Sequence, residues 1–260
     1  MDLEAIRERF DREVRANPPK QIGRETAWAD GVLRHTVSYN FIDWWDFGED
    51  RAFEIAAREA AFYAPLGDLK WKVYAHDRPA NLGAALAAAG FAQEGVETFM
   101  VLDLEAAPDW PAPPAGVEVR PVTDRQGVAD MLDVSAGAFG ERGTWTVDSL
   151  APRLADPTLA IYVAYAAGRP VTSGRLELCV GTAFAGLYGG GTVPDFQGRG
   201  AYRALVGARA AEARRRGYRY LTVDARPTSR PILERLGFEP VAEIAAWWLR
   251  AKPVTPAEPR

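Results

Sequence analysis

Cysteine is almost missing from this chain. Cys179 is the only one among 260 residues, which rules out an internal disulfide. His35 and His76 are the only histidines, too few to assemble a His/Cys zinc set. A protein without a metal is expected, with Cys179, set in an apolar alternating stretch, buried rather than nucleophilic. Long apolar runs are missing as well: none approaches the roughly 18 residues of a membrane span. The first nine residues alternate in charge where a secretion signal would need an apolar segment, so the chain reads as soluble and cytoplasmic. Charge of one sign is not in excess either. The 31 Lys and Arg against 35 Asp and Glu leave a formal net charge of −4, which gives no electrostatic reason to bind nucleic acid or an anionic membrane. A small molecule or peptide is the better partner, and the acidic balance mildly favours a cationic one.

An apolar content of 48% is enough for one large core or two modest ones. The segment from Glu105 to Gly116 holds four prolines, which remove backbone donors and fix φ repeatedly. It reads as a linker, 105–116, between an N-terminal domain, 1–104, and a second domain, 117–250. The proline-rich end, 251–260, reads as a loose tail.

Strand and helix alternate in the second domain. Val117 to Pro121 reads as a short strand and Asp124 to Ala138 as a helix, with Val128, Met131, Leu132 and Val134 at helical spacing. Strands are expected from Leu159, from Val171 to Val180 and from Ala183 to Val193, turning at Gly168 and at Gly181-Thr182. A helix follows, with Ala201, Ala204, Leu205, Ala208 and Ala211 on one face. It closes on Arg214-Arg215-Arg216 and Gly217, a basic last turn and a left-handed cap that need no ligand to explain them. Tyr220 to Ala225, Arg230 to Leu236 and Ala242 to Leu249 complete the pattern as strand, helix and strand.

The first half echoes this end. Leu69 to Ala75 takes the place of Tyr220 to Ala225. Arg78-Pro79, a helix, Gly90-Phe91 and a strand from Thr98 to Leu104 then follow, like Arg226-Pro227, a helix, Gly237-Phe238 and the strand to Leu249. Where the second half has a glycine loop, the first carries Asn40 to Phe47, aromatic and acidic, which cannot bring amides close to a diphosphate. Its Trp44-Trp45-Asp46-Phe47 run is expected at a domain junction or a homodimer seam.

The glycine loop carries the chemistry. A strand ends near Val193, Pro194-Asp195 turns, and the amides from Gln197 to about Tyr202 open a helix whose first donors have no partner inside it. Such an end attracts anions. Gly198 and Gly200 permit angles and close approach that a Cβ would obstruct, and Arg199 adds a charge for phosphate. The Walker Lys-Ser/Thr and the full GxGxxG are both absent, which disfavours a nucleotide triphosphate.

This passage resembles motif A of the GNAT superfamily of acyl-CoA N-acyltransferases, whose Gln/Arg-x-x-Gly-x-Gly/Ala loop follows the fourth strand. Gln197, Gly200 and Val193-Pro194 match it, and about 130 residues follow the family's order of elements. Tyr202 stands where the family has Gly or Ala. The resemblance implies an α/β fold of the α+β kind: a mixed, mostly antiparallel central sheet flanked by helices, GNAT-like, in two tandem units of which the first is degenerate. It implies acetyl-CoA (CoA) on Gln197, Gly198, Arg199, Gly200, Ala201 and Tyr202. The thioester arm would lie along a bulge at Gly189-Gly190-Gly191, meeting the backbone from Gly191 through Thr192 to Val193. It also implies direct attack of a primary amine, of a small molecule or peptide, on the thioester.

The family's usual strand carboxylate and late tyrosine fall near Gly186 and at Leu233, where neither side chain is present. Glu177 on the neighbouring strand is the first candidate base and Tyr188 the candidate acid or amine-orienting hydroxyl. Ser229 either approaches the sulfur or caps the following helix. Phe139, Glu141 and Trp145 are candidates to line the acceptor pocket. Two readings stay open beside acetyl transfer: transfer of a longer acyl group, and a catalytically silent acyl-CoA-binding sensor or scaffold.

Overall fold

The protein was analysed as a computed structural model that describes residues 1–20, 24–36, 39–107, 110, 112–140 and 145–251. Candidate Glu141 and the tail beyond Ala251 lie outside them. In chain order the helices are α1 (Leu3–Phe10), α2 (Ala52–Tyr63), α3 (Leu82–Ala88), α4 (Arg125–Phe139), α5 (Val147–Leu150), α6 (Ala201–Arg215) and α7 (Arg230–Arg235). The strands are β1 (Glu25–Ala29), β2 (Val32–Thr36), β3 (Asn40–Trp45), β4 (Leu69–Tyr74), β5 (Ala92–Asp103), β6 (Val117–Pro121), β7 (Leu159–Ala166), β8 (Arg169–Leu178), β9 (Phe184–Thr192), β10 (Tyr220–Ala225) and β11 (Glu239–Leu249). Among the described residues no helix is long and apolar enough to cross a membrane.

Two compact units emerge, and their boundaries differ from the expected 1–104, 105–116 and 117–250. One unit joins Met1–Gly23 to Thr98–Val241, and the other joins Arg24–Glu97 to Ala242–Arg260. The chain passes between units inside β5 and again inside β11. Alternation along a strand reports which face is apolar but not which strand lies beside it, so a linker signal at 105–116 did not mark the packing boundary.

In the larger unit the strands run β5-β10-β9-β8-β7-β6. All neighbours are antiparallel except β10 and β9, which are parallel. Strand residues sort to two faces. Leu176, Leu178, Ala185 and Leu187 share a core with Val206, Ala210 and Ala213 of α6, whereas the Ser173 hydroxyl donates to the Met131 carbonyl of α4 at 3.2 Å. Period-2 alternation therefore gives α6 one face and α4 the other, with Ser173, Arg175 and Glu177 on the α4 side. Helix α1 also belongs to this unit: Phe10 packs its ring 4.4 Å from Phe99 and 5.3 Å from Phe184.

Part of the expected linker is packed rather than loose. Trp110 lies against α6 where a Cβ on Gly207 would come within 3.2 Å of it, and Pro114 stands 2.8 Å from the place of a Cβ on Gly200. Helix α6 stops as expected, with Gly217 at φ +83 and Tyr218 N–H returning to the Ala213 carbonyl. Its basic last turn is used internally. Arg215 and Arg216 pair with Glu212, which they hold down at about 2, and Arg214 donates to the Leu104 carbonyl.

The smaller unit repeats the scheme with β1-β2-β3-β4-β11. Here β3 and β4 are the parallel neighbours, paired at Asn40↔Leu69, Phe41↔Lys70 and Ile42↔Trp71, and β11 closes antiparallel on β4. Helices α2 and α3 cover a core built on Ile42, Trp45, Ile55, Trp71 and Leu86. A buried Glu59 is held by both prongs of Arg34 at 2.7 and 2.8 Å. Trp45 is taken up by this core, 5.7 Å from Trp71, with its indole donating to the Arg78 carbonyl. For Trp45 this replaces the expected junction or seam. Asn40 to Trp45 is a strand, so the segment opening α2 is Asp46 to Arg51, acidic at Asp46, Glu49 and Asp50 and no better suited to a phosphate. Trp71 is fully buried, and Trp71→Ala is expected to cost about 3–5 kcal/mol of unfolding free energy, measurable by denaturant titration.

Candidate active site

The parallel pairing of β9 with β10 lasts only three residues, Phe184↔Tyr220, Ala185↔Leu221 and Gly186↔Thr222. Beyond Gly186 the strands part: β9 continues along β8 to Thr192, and β10 along β5 to Ala225. A bulge sits on the parting strand. Ser173 faces Gly191 and Arg175 faces Tyr188, so Gly174 alone stands opposite Gly189 and Gly190, and Gly189 has φ +57. The expected bulge is therefore present, with a left-handed glycine at its first position.

Glycine is required here by what lies against the backbone. A Cβ on Gly190 would sit 3.1 Å from the Tyr202 ring, and one on Gly174 would sit 2.6 Å from Nη1 of Arg209. On the opposite face a Cβ on Gly191 would meet Ala138 at 2.7 Å. Tyr202, the departure from the expected motif, is thus accommodated by glycine on the facing strand. Burial raises its hydroxyl pKa. Arg209 was not singled out by its sequence position. It is 1% exposed and lies beneath the bulge, donating Nη1 to the Arg175 carbonyl at 3.1 Å. Burial lowers its pKa to about 10, so it remains a cation at neutral pH.

The loop before α6 has the expected form. A short 3-10 turn at Pro194–Phe196 uses the amides of Phe196 and Gln197. Gly198 and Gly200 adopt φ +74 and +81, Gly200 occupies the N-cap, and the first helical bond is Ala204 N–H to the Gly200 carbonyl. Among the described residues, the amides of Gly198, Arg199, Gly200, Ala201, Tyr202 and Arg203 have no acceptor. A row of amides at a helix start, with the positive end of its dipole, matches the needs of a diphosphate. Gln197 turns its side-chain amide to the Thr192 carbonyl at 3.3 Å, and Arg199 lies 5.0 Å over the Phe196 ring. Val193 donates its N–H to the Val171 carbonyl and accepts from Phe196 N–H. Thr192 next to it contacts Thr172 through the hydroxyls at 3.1 Å.

The α4 face beside the bulge carries the candidate chemistry. Register places Glu177 opposite Gly186 and Arg175 opposite Tyr188, which makes Glu177 and Tyr188 diagonal neighbours on one face, about 7–8 Å apart at the backbone. Glu177 is 9% exposed and accepts from Arg175 Nε at 3.4 Å. The Tyr188 ring folds over Gly186, 2.5 Å from where a Cβ would stand. The aromatic thus fills the place in which a strand carboxylate was looked for. Leu233 is fully buried in the α6 core, so that position cannot present a proton. Ser229 sits at the N-cap of α7, but its hydroxyl makes no cap bond and instead donates to the Arg226 carbonyl at 3.1 Å. Trp145 lies between two guanidinium groups, 5.0 Å from Arg153 and 5.7 Å from Arg175, and Phe139 carries Arg226 at 5.2 Å.

Residues 125–246 match the family described as "Acetyltransferase (GNAT) domain". A search of curated proteins returns no match. Among solved structures, the chain resembles a GCN5-related N-acetyltransferase from Kribbella flavida at 15% identity and a TM-score of 0.69, over 97% of this chain and 95% of that one. A conserved protein of unknown function from Staphylococcus epidermidis follows at 13% identity and 0.66, over 93% and 98%. A tandem GNAT protein from the clavulanic acid biosynthesis pathway matches at 15% identity and 0.58, over 91% and 86%. Residues 125–246 thus match a GNAT acetyltransferase domain, and the strand pairing repeated in both units gives the chain the fold of two tandem GNAT-like units.

Proposed function

We propose that this chain is an N-acetyltransferase that moves an acetyl group from acetyl-CoA to a primary amine of a small molecule or peptide. The observation that carries the reading is the row of free amides from Gly198 to Arg203, lying just past the opening between β9 and β10. The amides, with Arg199, take the diphosphate. The backbone of Gly191 and Thr192 takes the thioester arm, while Val193 has its N–H and carbonyl already engaged. Ser229 is assigned a lesser contact with the arm.

Bound acetyl-CoA supplies the activated acyl carbon. The chain's own residues have to hold the amine against it, take one proton from nitrogen and leave one for sulfur. A C–N bond forms as the C–S bond breaks, the pair passing to sulfur, and an amide and free CoA thiol result. Glu177, directly or through a water, accepts the ammonium proton, and Tyr188 orients the amine or returns a proton to the thiolate. Fixing the two reactants in register supplies much of the rate on its own. Gly186 and Leu233 favour a second reading, a silent acyl-CoA-binding protein, and the loop does not distinguish acetyl from a longer acyl group because it meets only the CoA end.

Calorimetric titration of the full chain with CoA is expected to give saturable binding. Gly198→Asp, which places a carboxylate among the amides at a position with open space around it, should weaken that binding by about tenfold or more. No binding, or an unchanged affinity in the variant, removes the proposed phosphate site. Glu177→Gln is expected to lower kcat by about 10²–10⁴ while leaving KM for acetyl-CoA near its original value, as read by thiol release with an amine panel. Release by wild type but not by this variant separates an enzyme from a binder. Gly186→Ala and Leu233→Tyr should each cost about 1–3 kcal/mol of stability by overpacking, without raising kcat. Tyr188→Ala should relieve the first cost in a double-mutant cycle and leave the second untouched.

A further inference from the structure

The fork of Arg175 has no role in the steps above. Its side chain is 16% exposed, yet among the described residues its only hydrogen bond is the one from Nε to Glu177, and the terminal nitrogens have no acceptor. One of them reaches the bulge, since a Cβ on Gly189 would lie 3.2 Å from Nη1. The Trp145 ring covers its flank, with Arg153 on that ring as well.

Beneath Arg175 the charge is unbalanced in the same sense. Arg209 donates to the Arg175 carbonyl, while its buried Nη2 has no partner. The titratable groups that act on Arg209 are Tyr202, Arg175 and Tyr162, none of them a carboxylate. Among the described residues Glu177 is the one carboxylate hydrogen-bonded to these guanidinium groups. The site is locally cationic although the chain as a whole is acidic. A cation as buried as Arg209 is costly unless an anion joins it, and the planar fork of Arg175 above it fits the two oxygens of a carboxylate.

On the acetyltransferase reading, we infer that the acceptor is a free α-amino acid. Arg175 holds its carboxylate and Glu177 its ammonium. The heads of Arg175 and Glu177 lie 3.4 Å apart, so the acceptor must carry opposite charges on two groups borne by one carbon, as an α-amino acid does and a long diamine or a peptide N-terminus does not. The ammonium then sits on the carboxylate that takes its proton, beside the bulge that receives the thioester.

The test compares each of the common amino acids with its amide and its decarboxylated amine, reading thiol release from acetyl-CoA with the full chain. At least one acid is expected to exceed its amide by about a hundredfold in kcat/KM, because a site built for a charged group rejects the analogue lacking it. Arg175→Gln should bring that ratio to within a few-fold of one, and Arg175→Lys should leave an intermediate ratio, with thermal melts confirming that both variants fold. Equal use of acid and amide overturns the inference, as does an equal loss on both in Arg175→Gln, which would assign Arg175 to the thioester. Calorimetry with the same amino acids, in the presence of CoA, covers the case of no turnover. Binding that depends on Arg175 would keep the inference while the transferase reading fell, and no binding would overturn the inference too.

Discussion

A parallel strand pair that must come apart after three residues governs the larger unit. Backbone groups on two adjacent edges are left without each other, and burying them unpaired would cost on the order of 1–3 kcal/mol per group. Everything around the parting is arranged to make it tolerable. The bulge at Gly189 and Gly190 turns β9 away, glycine at 174, 190 and 191 lets helices close on both faces, and the loop at 197–200 carries the chain straight from the open edge into α6. Loss of pairing, exposed edge and free helix start form one feature, and the proposed donor site is the space they leave.

Most of the secondary structure was legible in the residues. The alternating stretches around 117, 159, 171 and 183 are strands, and the spacing of Ala201, Ala204 and Leu205 is a helix that stops at Gly217. The loop glycines were legible for a local reason: their positive φ and the unpaired amides follow from a few consecutive residues. The bulge was expected from the resemblance, and three consecutive glycines suited it.

What escaped was non-local. Nothing in Met1–Phe10 announces that Phe10 will pack on Phe99 and Phe184, and nothing in Val241-Ala242 marks a change of unit inside a strand. Arg209 lies off the alanine face of α6 and nothing in its sequence position singled it out, yet it is among the most buried side chains. The signal that could have found it is the glycine at 174, which has no turn to explain it and lies where a large side chain must pass beneath the strand. Tyr202 and Gly190 form a second pair of the same kind. A departure at one position was matched by a glycine on another strand, and such matching is invisible to a motif read along the chain.

The last strand of each sequence half closes the sheet of the other unit: residues of β5 from Thr98 pair with β10, and residues of β11 pair with β4. Cutting the chain in the proline-rich stretch would therefore not yield two autonomous proteins. Each fragment would keep a closing strand meant for its sibling and bare the edge where its own closing strand should lie, an invitation to pair with whatever chain comes next. During synthesis the first half faces the same predicament, since β4 has no closing neighbour until β11 has left the ribosome.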